Sequence, residues 1–358
     1  MTTTDTVHFR TVLQERMQDM LDKYQYRASQ IAKSSEPLVA AITELVKGGK
    51  RLRALLAWWG WRGAGGDAHD PRIIDAGVAL ELFQAAALIH DDILDRSDTR
   101  RGKPAVHKNF QKLHQNNGWA QDSSHFGVSA GILAGDLALG LSEEIFSTTA
   151  DATAFAAPAR DAFHAMRFEV MTGQYLDILA EADIPDEPTD ALSHARTVLR
   201  YKSANYSAVW PFELGGLLAG ADETTLSSYR DFSQPLGMAF QLGDDLLGVF
   251  GDPALTGKPS GDDLIEGKRT ELIAHALYRL DPEDANVLNN FLKQPSTSQY
   301  TVEEIQQLIA SSGAHSVVES EIQRLWDETS QALEHLPVIS PVKAGLSELV
   351  SQLLERTS

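Results

Sequence analysis

The chain has 358 residues, 43% of them hydrophobic and 23% charged, and its formal net charge at pH 7 is −19. This acidic surplus argues against a nucleic-acid partner, because phosphate backbones are bound by clustered Lys and Arg. The chain has no cysteine, which excludes disulfides and thiolate metal sites and leaves carboxylates and histidines as metal ligands. Hard cations such as Mg²⁺ are therefore the metals to expect.

Two features of the whole chain favour one soluble domain. No linker rich in Pro, Ser or Gly divides it, so we expect residues 1–358 to form a single domain. No uncharged apolar run reaches the roughly 18 residues that a membrane-spanning helix needs. Residues 1–21 also lack the layout of a secretory signal. We therefore expect a cytoplasmic protein without a transmembrane segment.

Apolar residues recur at spacings of three and four along most of the chain, which predicts helices. Convincing alternating strands are absent from the sequence, so the fold class is all-α, a helical bundle around a central cavity. Asp70 followed by Pro71, and Thr301 followed three residues later by Glu304, predict helix starts. With loops expected at 114–125, 181–190 and 251–261, the predicted helices cover 7–33, 37–46, 52–61, 70–95, 127–146, 160–180, 191–220, 229–250, 301–336 and 341 onward.

The helix predicted over 70–95 ends in three aspartates. Between Glu81 and Asp91 it has no formally charged residue, so we expect it to be buried on all sides. Asp91 and Asp95 are one turn apart with Asp92 beside them, which places carboxylates on one face at the carboxyl end. The helix dipole is negative at this end, so the carboxylates repel it and one another unless cations intervene.

A second apolar helix, predicted over 229–250, ends in Asp244 and Asp245. Two such helices can face each other and hold several divalent cations, and Mg²⁺ completes its coordination with water and substrate phosphates. An apolar helix below the aspartates adds a hydrophobic pocket, so the predicted ligand has a diphosphate head and a hydrocarbon tail. The basic residues that would complement one or two diphosphates are Lys50, Arg53, Arg100, Arg101, Lys202, Lys258 and Lys268.

These motifs resemble those of the trans-isoprenyl diphosphate (polyprenyl) synthases over most of the chain. Two positions depart from the family pattern. Gly248 replaces the third aspartate of the second motif, so we expect less redundant metal binding with activity retained, and Ser203 stands where the family often has Thr. The matching segments, in the family's order, are GGKRLR at 48–53, DDILD at 91–95, SDTRRGKPAVH at 97–107, GQYLD at 173–177, QLGDD at 241–245, GK at 257–258 and EGKRT at 266–270.

The resemblance implies the isoprenoid synthase fold, a homodimer and a Mg²⁺-dependent head-to-tail condensation of isopentenyl diphosphate with an allylic diphosphate. About three Mg²⁺ would bind at the aspartates, and no side-chain base is needed, because the proton would leave to the released diphosphate. The implied metal ligands are Asp91, Asp92, Asp95, Asp244 and Asp245. The implied catalytic residues are Asp91, Asp92, Asp95, Lys202, Asp244 and Lys258. Isopentenyl diphosphate would contact Lys50, Arg53, Gln84 and Arg101, and the remaining substrate-binding residues are Arg100, Lys202, Ser203, Gln241, Lys258 and Lys268.

Product length is predicted from the wall of the first aspartate helix. Ala86 and Ala87 lie five and four residues before Asp91, so the wall about one turn below the metals is small. By the resemblance, bulky residues there would stop growth early, and Phe83 is the next candidate floor of the pocket. Geranylgeranyl diphosphate is therefore the favoured product, with farnesyl or longer polyprenyl diphosphates as alternatives.

Other functions remain as alternatives. Terpene cyclases and squalene-type synthases share the fold and the metal aspartates but need no isopentenyl site, so Lys50, Arg53 and Arg101 argue against them. His90 next to Asp91 is compatible with a metal phosphohydrolase, but no array of further histidines accompanies it, and a lone His on a buried helix is usually a hydrogen-bonded core residue. A non-catalytic synthase subunit is disfavoured by the intact first motif.

Overall fold

The computed structural model describes residues 2–182, 188–252 and 260–357. The predicted all-α class is confirmed. The α-helices are Thr2–Ile31, Glu36–Leu45, Leu52–Gly63, Pro71–Leu94, Val106–Asn116, Ser123–Asp151, Ala156–Ala182, Pro188–Val198, Trp210–Ala219, Glu223–Phe250, Asp262–Glu266, Glu271–Arg279, Pro282–Lys293, Val302–Ser311, Ala314–His335 and Ser340–Thr357. The described residues also form a π-helix at Leu199–Val209, short 3₁₀ turns at Lys33–Ser35 and Pro295–Thr297, and a two-stranded ribbon of Thr99–Arg100 and Lys103–Pro104.

Both predicted helix starts are confirmed by their hydrogen bonds. The Asp70 carboxylate accepts from the backbone N–H of Arg72 at 2.8 Å, directly before Pro71 at the first helical position. The Thr301 hydroxyl accepts from the Glu304 N–H at 3.2 Å, and the Glu304 carboxylate accepts from the Thr301 N–H at 2.8 Å. This reciprocal pair satisfies two N–H groups that the helix itself cannot bond.

The loop predicted at 114–125 is wrong at both ends. Helix Val106–Asn116 continues past its start, and the next helix begins at Ser123, so the connection is much shorter. The Asp122 carboxylate accepts from the His125 N–H at 2.6 Å, which is an N-cap inside the stretch assigned to loop. The Asn-Asn-Gly run at 116–118 marked the turn correctly, but its polar flanks belong to helices.

Two further local features differ from the prediction. The chain forms one short antiparallel ribbon, whose turn residues Arg101 and Gly102 have φ of 54° and 71°, as a type I′ turn requires. The helix predicted over 191–220 is α-helical only at its ends, and Leu199–Val209 is π-helical. This irregular segment ends just before Pro211, which lacks the N–H that a regular helix would donate at that position.

The chain divides into two compact units, one formed by Met1–Arg160 and Leu214–Asp222 and the other by Asp161–Glu213 and Glu223–Ser358. In the first unit, Phe9 stacks on Trp58 with 5.1 Å between ring centroids. Helices Pro71–Leu94 and Ser123–Asp151 pack along each other, and the buried Ser142 hydroxyl donates to the Ala79 carbonyl at 2.7 Å. This packing buries the uncharged length of the first aspartate helix, as expected.

The second unit has its own aromatic core. Phe212 stacks on Tyr229 with 4.1 Å between the ring centroids. Phe232 packs on the Phe212 ring, with 5.5 Å between those two centroids. Helix Glu223–Phe250 packs on the π-helix, where Gly237 lies so close to Ala204 that an added Cβ would be 2.7 Å from the Ala204 oxygen. The second aspartate helix is thereby fixed against the segment that carries Lys202.

Within the described parts of the chain, two helices are long and apolar enough to cross a membrane by length and composition, Pro71–Leu94 and Ser123–Asp151. The most apolar window of the first is 72% buried, as the core helix of a soluble protein would be, whereas that of the second is 33% buried. Length and composition alone are weak evidence for membrane insertion, because core helices meet the same criterion.

Candidate active site

The first acidic motif lies at the carboxyl end of helix Pro71–Leu94. The Asp92 side chain is 1% exposed and accepts from Nε of Arg100 at 2.7 Å and from its Nη2. The same Nη2 lies 3.5 Å from Oδ2 of Asp91. The short ribbon that follows the helix folds Arg100 back over the aspartates. The structure therefore brings the predicted acidic and basic residues of this motif together, with Asp92 held by Arg100 and Asp91 and Asp95 partly exposed.

The glycine pair of GGKRLR provides room for Arg101. A Cβ added at Gly48 would lie 3.0 Å from Nη1 of Arg101, and one added at Gly49 would lie 3.0 Å from Nη2. Nη1 of Arg101 also donates to the Leu45 carbonyl at 3.3 Å. The side chain that approaches the glycine pair closely is thus a guanidinium. Burial against the glycines and the positive charge of Arg51 lower the pKa of Arg101.

The other residues expected to bind isopentenyl diphosphate lie in the same unit. Lys50 is exposed in the turn before helix Leu52–Gly63, and Arg53 is partly exposed in the first turn of that helix. Gln84 is partly exposed on helix Pro71–Leu94, between the buried Phe83 and the aspartates. Each side chain therefore keeps some surface that a diphosphate could contact.

The second acidic motif lies on helix Glu223–Phe250. Gln241 donates to Oδ1 of Asp245 at 2.8 Å, one turn away, and Asp244 is partly exposed. Burial and the nearby negative charge of Asp263 raise the pKa of Asp245 to about 7, although the bond from Gln241 opposes the shift. Carboxylates crowded in this way favour a cation among them, because the cation's charge would restore the ionised form.

The position that departs from the family pattern, Gly248, is filled by another carboxylate. A Cβ added there would be 1.9 Å from Oδ2 of Asp263, the buried second residue of helix Asp262–Glu266. Nζ of Lys268 lies 3.2 Å from Oδ1 of Asp263 and 2.5 Å from Oε2 of Glu266. Asp263 thus occupies the space of the missing aspartate side chain. Asp263 is not among the site residues predicted from the sequence.

The π-helix carries Lys202 and Ser203. Nζ of Lys202 forms an ion pair with Oδ2 of Asp177, and both side chains are mostly buried. Gly173, one turn before Asp177, lets the two segments approach each other, because a Cβ added there would be 2.5 Å from the backbone nitrogen of Lys202. Sequence reasoning found both ends of this pair as family motifs but did not join them. π-helical structure is rare and is frequently found at functional sites.

His90, the basis of the phosphohydrolase alternative, is bonded within the first unit. Its Nε2 lies 3.3 Å from the Ile132 carbonyl oxygen and 3.5 Å from Oδ1 of Asp136. Gly135 makes room for the ring, since an added Cβ would be 2.2 Å from Nε2. The histidine is therefore a hydrogen-bonded partner of helix Ser123–Asp151.

The donor chemistry of the site fits Mg²⁺. Across the described ranges, no three His, Asp or Glu side chains converge as a metal site. Mg²⁺ does not need such a cluster, because it binds proteins through one or two carboxylates and takes its other ligands from water and substrate phosphates. Asp91 and Asp95 in the first unit and Asp244 in the second unit are each partly exposed, so each carboxylate could offer an oxygen to such an ion. Lys258, predicted to bind the diphosphate, lies outside the described residues.

The predicted wall of the hydrocarbon pocket lies on helix Pro71–Leu94. Phe83 and Ala86 are buried, and Ala87 is partly exposed one turn before Asp91. The only bulky side chain of the three is thus the one farthest from the aspartates.

Comparison with known proteins identifies the family of this chain. A sequence model of the polyprenyl synthetase family matches residues 35–309. Geranylfarnesyl diphosphate synthase of Aeropyrum pernix is 30% identical over 325 residues, covering 89% of this chain and 92% of that protein. Geranylgeranyl diphosphate synthase of Mycobacterium tuberculosis is 31% identical over 307 residues, covering 84% and 79% respectively. A solved geranylgeranyl pyrophosphate synthase of Corynebacterium glutamicum, complexed with isoprenyl diphosphate and magnesium, is 38% identical, with a TM-score of 0.91 and coverage of 97% of this chain and 98% of that chain.

The chain belongs to the polyprenyl synthetase family and has the isoprenoid synthase fold. It is a prenyl diphosphate synthase, a transferase that acts on isoprenoid diphosphates, and the resemblance inferred from its motifs is confirmed. The relatives are named for products of different length, so membership of the family leaves the product of this chain to be argued from its own residues.

Proposed function

We propose that this protein condenses isopentenyl diphosphate with allylic diphosphates in a Mg²⁺-dependent, head-to-tail reaction whose main product is geranylgeranyl diphosphate. The observation that carries the proposal is the mostly buried helix Pro71–Leu94, which has no formally charged residue between Glu81 and Asp91 and ends in the acidic motif, where Arg100 pairs with Asp91 and Asp92. This arrangement combines an apolar surface for a hydrocarbon tail with charges of both signs for a metal-bound diphosphate.

The allylic diphosphate is bound and ionised by residues of both motifs. Bound Mg²⁺ would supply positive charge that stabilises the leaving diphosphate. Following the family resemblance, Asp91, Asp95 and Asp244 would hold the metal, and Arg100 and Lys202 would add positive charge that stabilises the leaving diphosphate. The Asp177 carboxylate holds the Lys202 ammonium in place, so this charge is oriented before the substrate arrives. Asp92, which is buried against Arg100, would orient that guanidinium.

Isopentenyl diphosphate is the nucleophile of the proposed reaction. Lys50, Arg53, Gln84 and Arg101 would bind its diphosphate and leave its alkene to attack the allylic carbon. Arg101 is suited to this role because the glycine pair and the Leu45 carbonyl already hold its guanidinium. The proton lost after the attack would go to the released diphosphate, so no side chain is assigned as a base.

Product length is proposed to depend on the small side chains below the metal-binding carboxylates. Ala87 and Ala86 let the hydrocarbon chain pass the first turn, and Phe83 then limits further growth. Geranylgeranyl diphosphate fits such a pocket better than the shorter farnesyl diphosphate, which would require a bulky residue nearer to Asp91.

We also propose a cytoplasmic, single-domain enzyme that acts as a homodimer. Helix Ser123–Asp151 supports the dimer, because it is apolar and exposes Ile132 at 43% and Leu133 at 59%. Association with a second copy would remove this apolar surface from water.

The proposed function is tested with the purified protein, Mg²⁺, isopentenyl diphosphate and each allylic primer in turn, followed by mass spectrometry of the products. A linear twenty-carbon diphosphate is the expected product, and omission of Mg²⁺ should abolish it. A cyclic hydrocarbon, free phosphate or unchanged substrate would indicate a terpene cyclase, a phosphohydrolase or a non-catalytic subunit and would refute the proposal. Shorter or longer linear products would refute only the assigned length.

A further inference from the structure

Two buried charged residues have no assigned role so far, Arg51 within the GGKRLR segment and Glu81 on helix Pro71–Leu94. Arg51 is 8% exposed and Glu81 is 7% exposed, and Nη1 of Arg51 donates to Oε2 of Glu81 at 2.8 Å. Nη2 of Arg51 donates to Oε1 of Gln14 and to the Val46 carbonyl. Ion pairs this deeply buried add little net stability, because desolvation of both charges offsets their attraction. Their presence here therefore calls for a reason other than stability.

The backbone at Arg51 is strained in a way that matters for its neighbours. Arg51 has φ of 59° and ψ of 32°, the left-handed conformation that L-residues other than Gly, Asn and Asp rarely adopt, and it is the residue before helix Leu52–Gly63. Such a conformation persists only where surrounding contacts hold it. Lys50 precedes Arg51 directly and Arg53 follows two residues later, so both cations depend on this one turn. The inward bonds of the Arg51 side chain are the contacts that hold it.

The same pair acts on Arg101 through its charges. The pKa of Arg101 is lowered first by burial and then by the charge of Arg51, while the charge of Glu81 opposes the shift. Arg101 also lies on the glycine pair that begins the turn. If Glu81 lost its charge, the positive charge of Arg51 would no longer be balanced and would repel Arg101. The turn at Gly48–Arg51, on which the Arg101 guanidinium lies, would also lose one of the bonds that hold it.

We propose that Arg51 and Glu81 are a positioning pair, which fixes Lys50, Arg53 and Arg101 in the arrangement that binds the diphosphate of isopentenyl diphosphate. This inference rests on the proposed function. Neither residue is assigned a contact with substrate, so the pair should control the affinity for isopentenyl diphosphate. It should have little effect on the allylic diphosphate, whose assigned ligands are held by other contacts.

The test compares Glu81→Gln with a matched control, Asp75→Asn. Asp75 pairs with Arg16 through two bonds, of 2.6 and 3.0 Å, and joins the same two helices, Thr2–Ile31 and Pro71–Leu94, that Gln14 and Glu81 belong to. Glu81→Gln should raise the KM for isopentenyl diphosphate about tenfold or more, with the KM for the allylic diphosphate and kcat at saturating substrate changed less than about threefold. Asp75→Asn should leave both KM values near those of the wild type.

Two further variants separate a positioning role from a structural one. Glu81→Asp retains the charge and should recover part of the lost affinity. Arg51→Lys retains the charge but replaces the planar guanidinium, whose two Nη atoms bond Glu81 on one side and Gln14 and Val46 on the other, by a single ammonium. The KM of this variant for isopentenyl diphosphate should therefore lie between those of wild type and Glu81→Gln. Circular dichroism checks that each variant is folded. If Glu81→Gln does not fold, the KM values for isopentenyl diphosphate and for the allylic diphosphate are compared in Glu81→Asp and Arg51→Lys instead.

The outcomes distinguish this inference from the proposed function. A Glu81→Gln enzyme with unchanged KM for isopentenyl diphosphate, or with both KM values raised equally, would overturn the positioning role. Lys50→Ala is the reference for the site itself, and it should raise the same KM. If Lys50→Ala has no effect, or the wild type does not use isopentenyl diphosphate, the proposed function fails independently of the pair.

Discussion

Substitution at Gly248 tests how the second acidic motif is built. The family's third aspartate is absent there, and Oδ2 of Asp263 lies 1.9 Å from the position of an added Cβ. Gly248→Ala therefore forces the Asp263 carboxylate to move, which disturbs its mostly buried pair with Lys268, in which Nζ lies 3.2 Å from Oδ1. Gly248→Asp adds a further negative charge next to Asp245, whose pKa is already raised to about 7.

The magnitude follows from two opposing effects. Replacing a mid-helix glycine by alanine favours the helix by about 1 kcal/mol. Overpacking typically costs ~1–3 kcal/mol, and disruption of a buried ion pair costs up to ~3–5 kcal/mol when one partner is lost outright. Since Asp263 is displaced and not removed, we expect Gly248→Ala to destabilise the protein by about 1–3 kcal/mol in net terms. Gly248→Asp should be worse and should also lose most activity.

The assay is a double-mutant cycle read by urea unfolding and by the rate of prenyl transfer. In the Asp263→Ala background the carboxylate is gone, so the effect of Gly248→Ala on the free energy of unfolding should change sign. The substitution should then stabilise the protein by up to ~1 kcal/mol. Gly248→Asp combined with Asp263→Ala should recover part of the stability that Gly248→Asp loses. Equal effects of Gly248→Ala in both backgrounds would show that Asp263 does not occupy this space.

The remaining predictions concern the pocket wall, the π-helix and a helix cap. Ala87→Phe should shorten the main product and Phe83→Ala should lengthen it, as measured by mass spectrometry. An unchanged product distribution would remove these residues from the wall. Asp177→Asn should slow single-turnover prenyl transfer about tenfold or more, because Lys202 loses the carboxylate that orients it. A rate within twofold of wild type would contradict that role. Thr301→Ala should lower the free energy of unfolding by about 1 kcal/mol without changing kcat, whereas Thr301→Ser should be nearly neutral.

Local sequence patterns were enough to predict two helix starts, a buried helix and the motifs of the site. The caps at Asp70 and Thr301 were predictable because the donor and the acceptor lie within three residues of each other. The uncharged run before Asp91 predicted a buried helix, since a helix without a polar face cannot lie on the surface. The family motifs, being short and contiguous, could be found without any knowledge of packing.

Other features depended on contacts that no local pattern encodes. The loop predicted at 114–125 was wrong because its polar residues cap and begin helices, and the π-helix at Leu199–Val209 has no distinctive sequence period. Lys202 and Asp177 are 25 positions apart in the chain. Their pairing requires the close approach of two helices at Gly173.

The sequence by itself determined the helical class, the order of the motifs and the residue types of the site, because these follow from periodicity and from short contiguous patterns. Only the tertiary structure decided which charges neutralise one another. Arg51 pairs with Glu81, which is 30 positions away in the chain, and the Asp263 carboxylate fills the space next to Gly248. Ion pairs and steric fit act over a few ångströms in space and are independent of separation along the chain, so packing had to be known before they could be assigned.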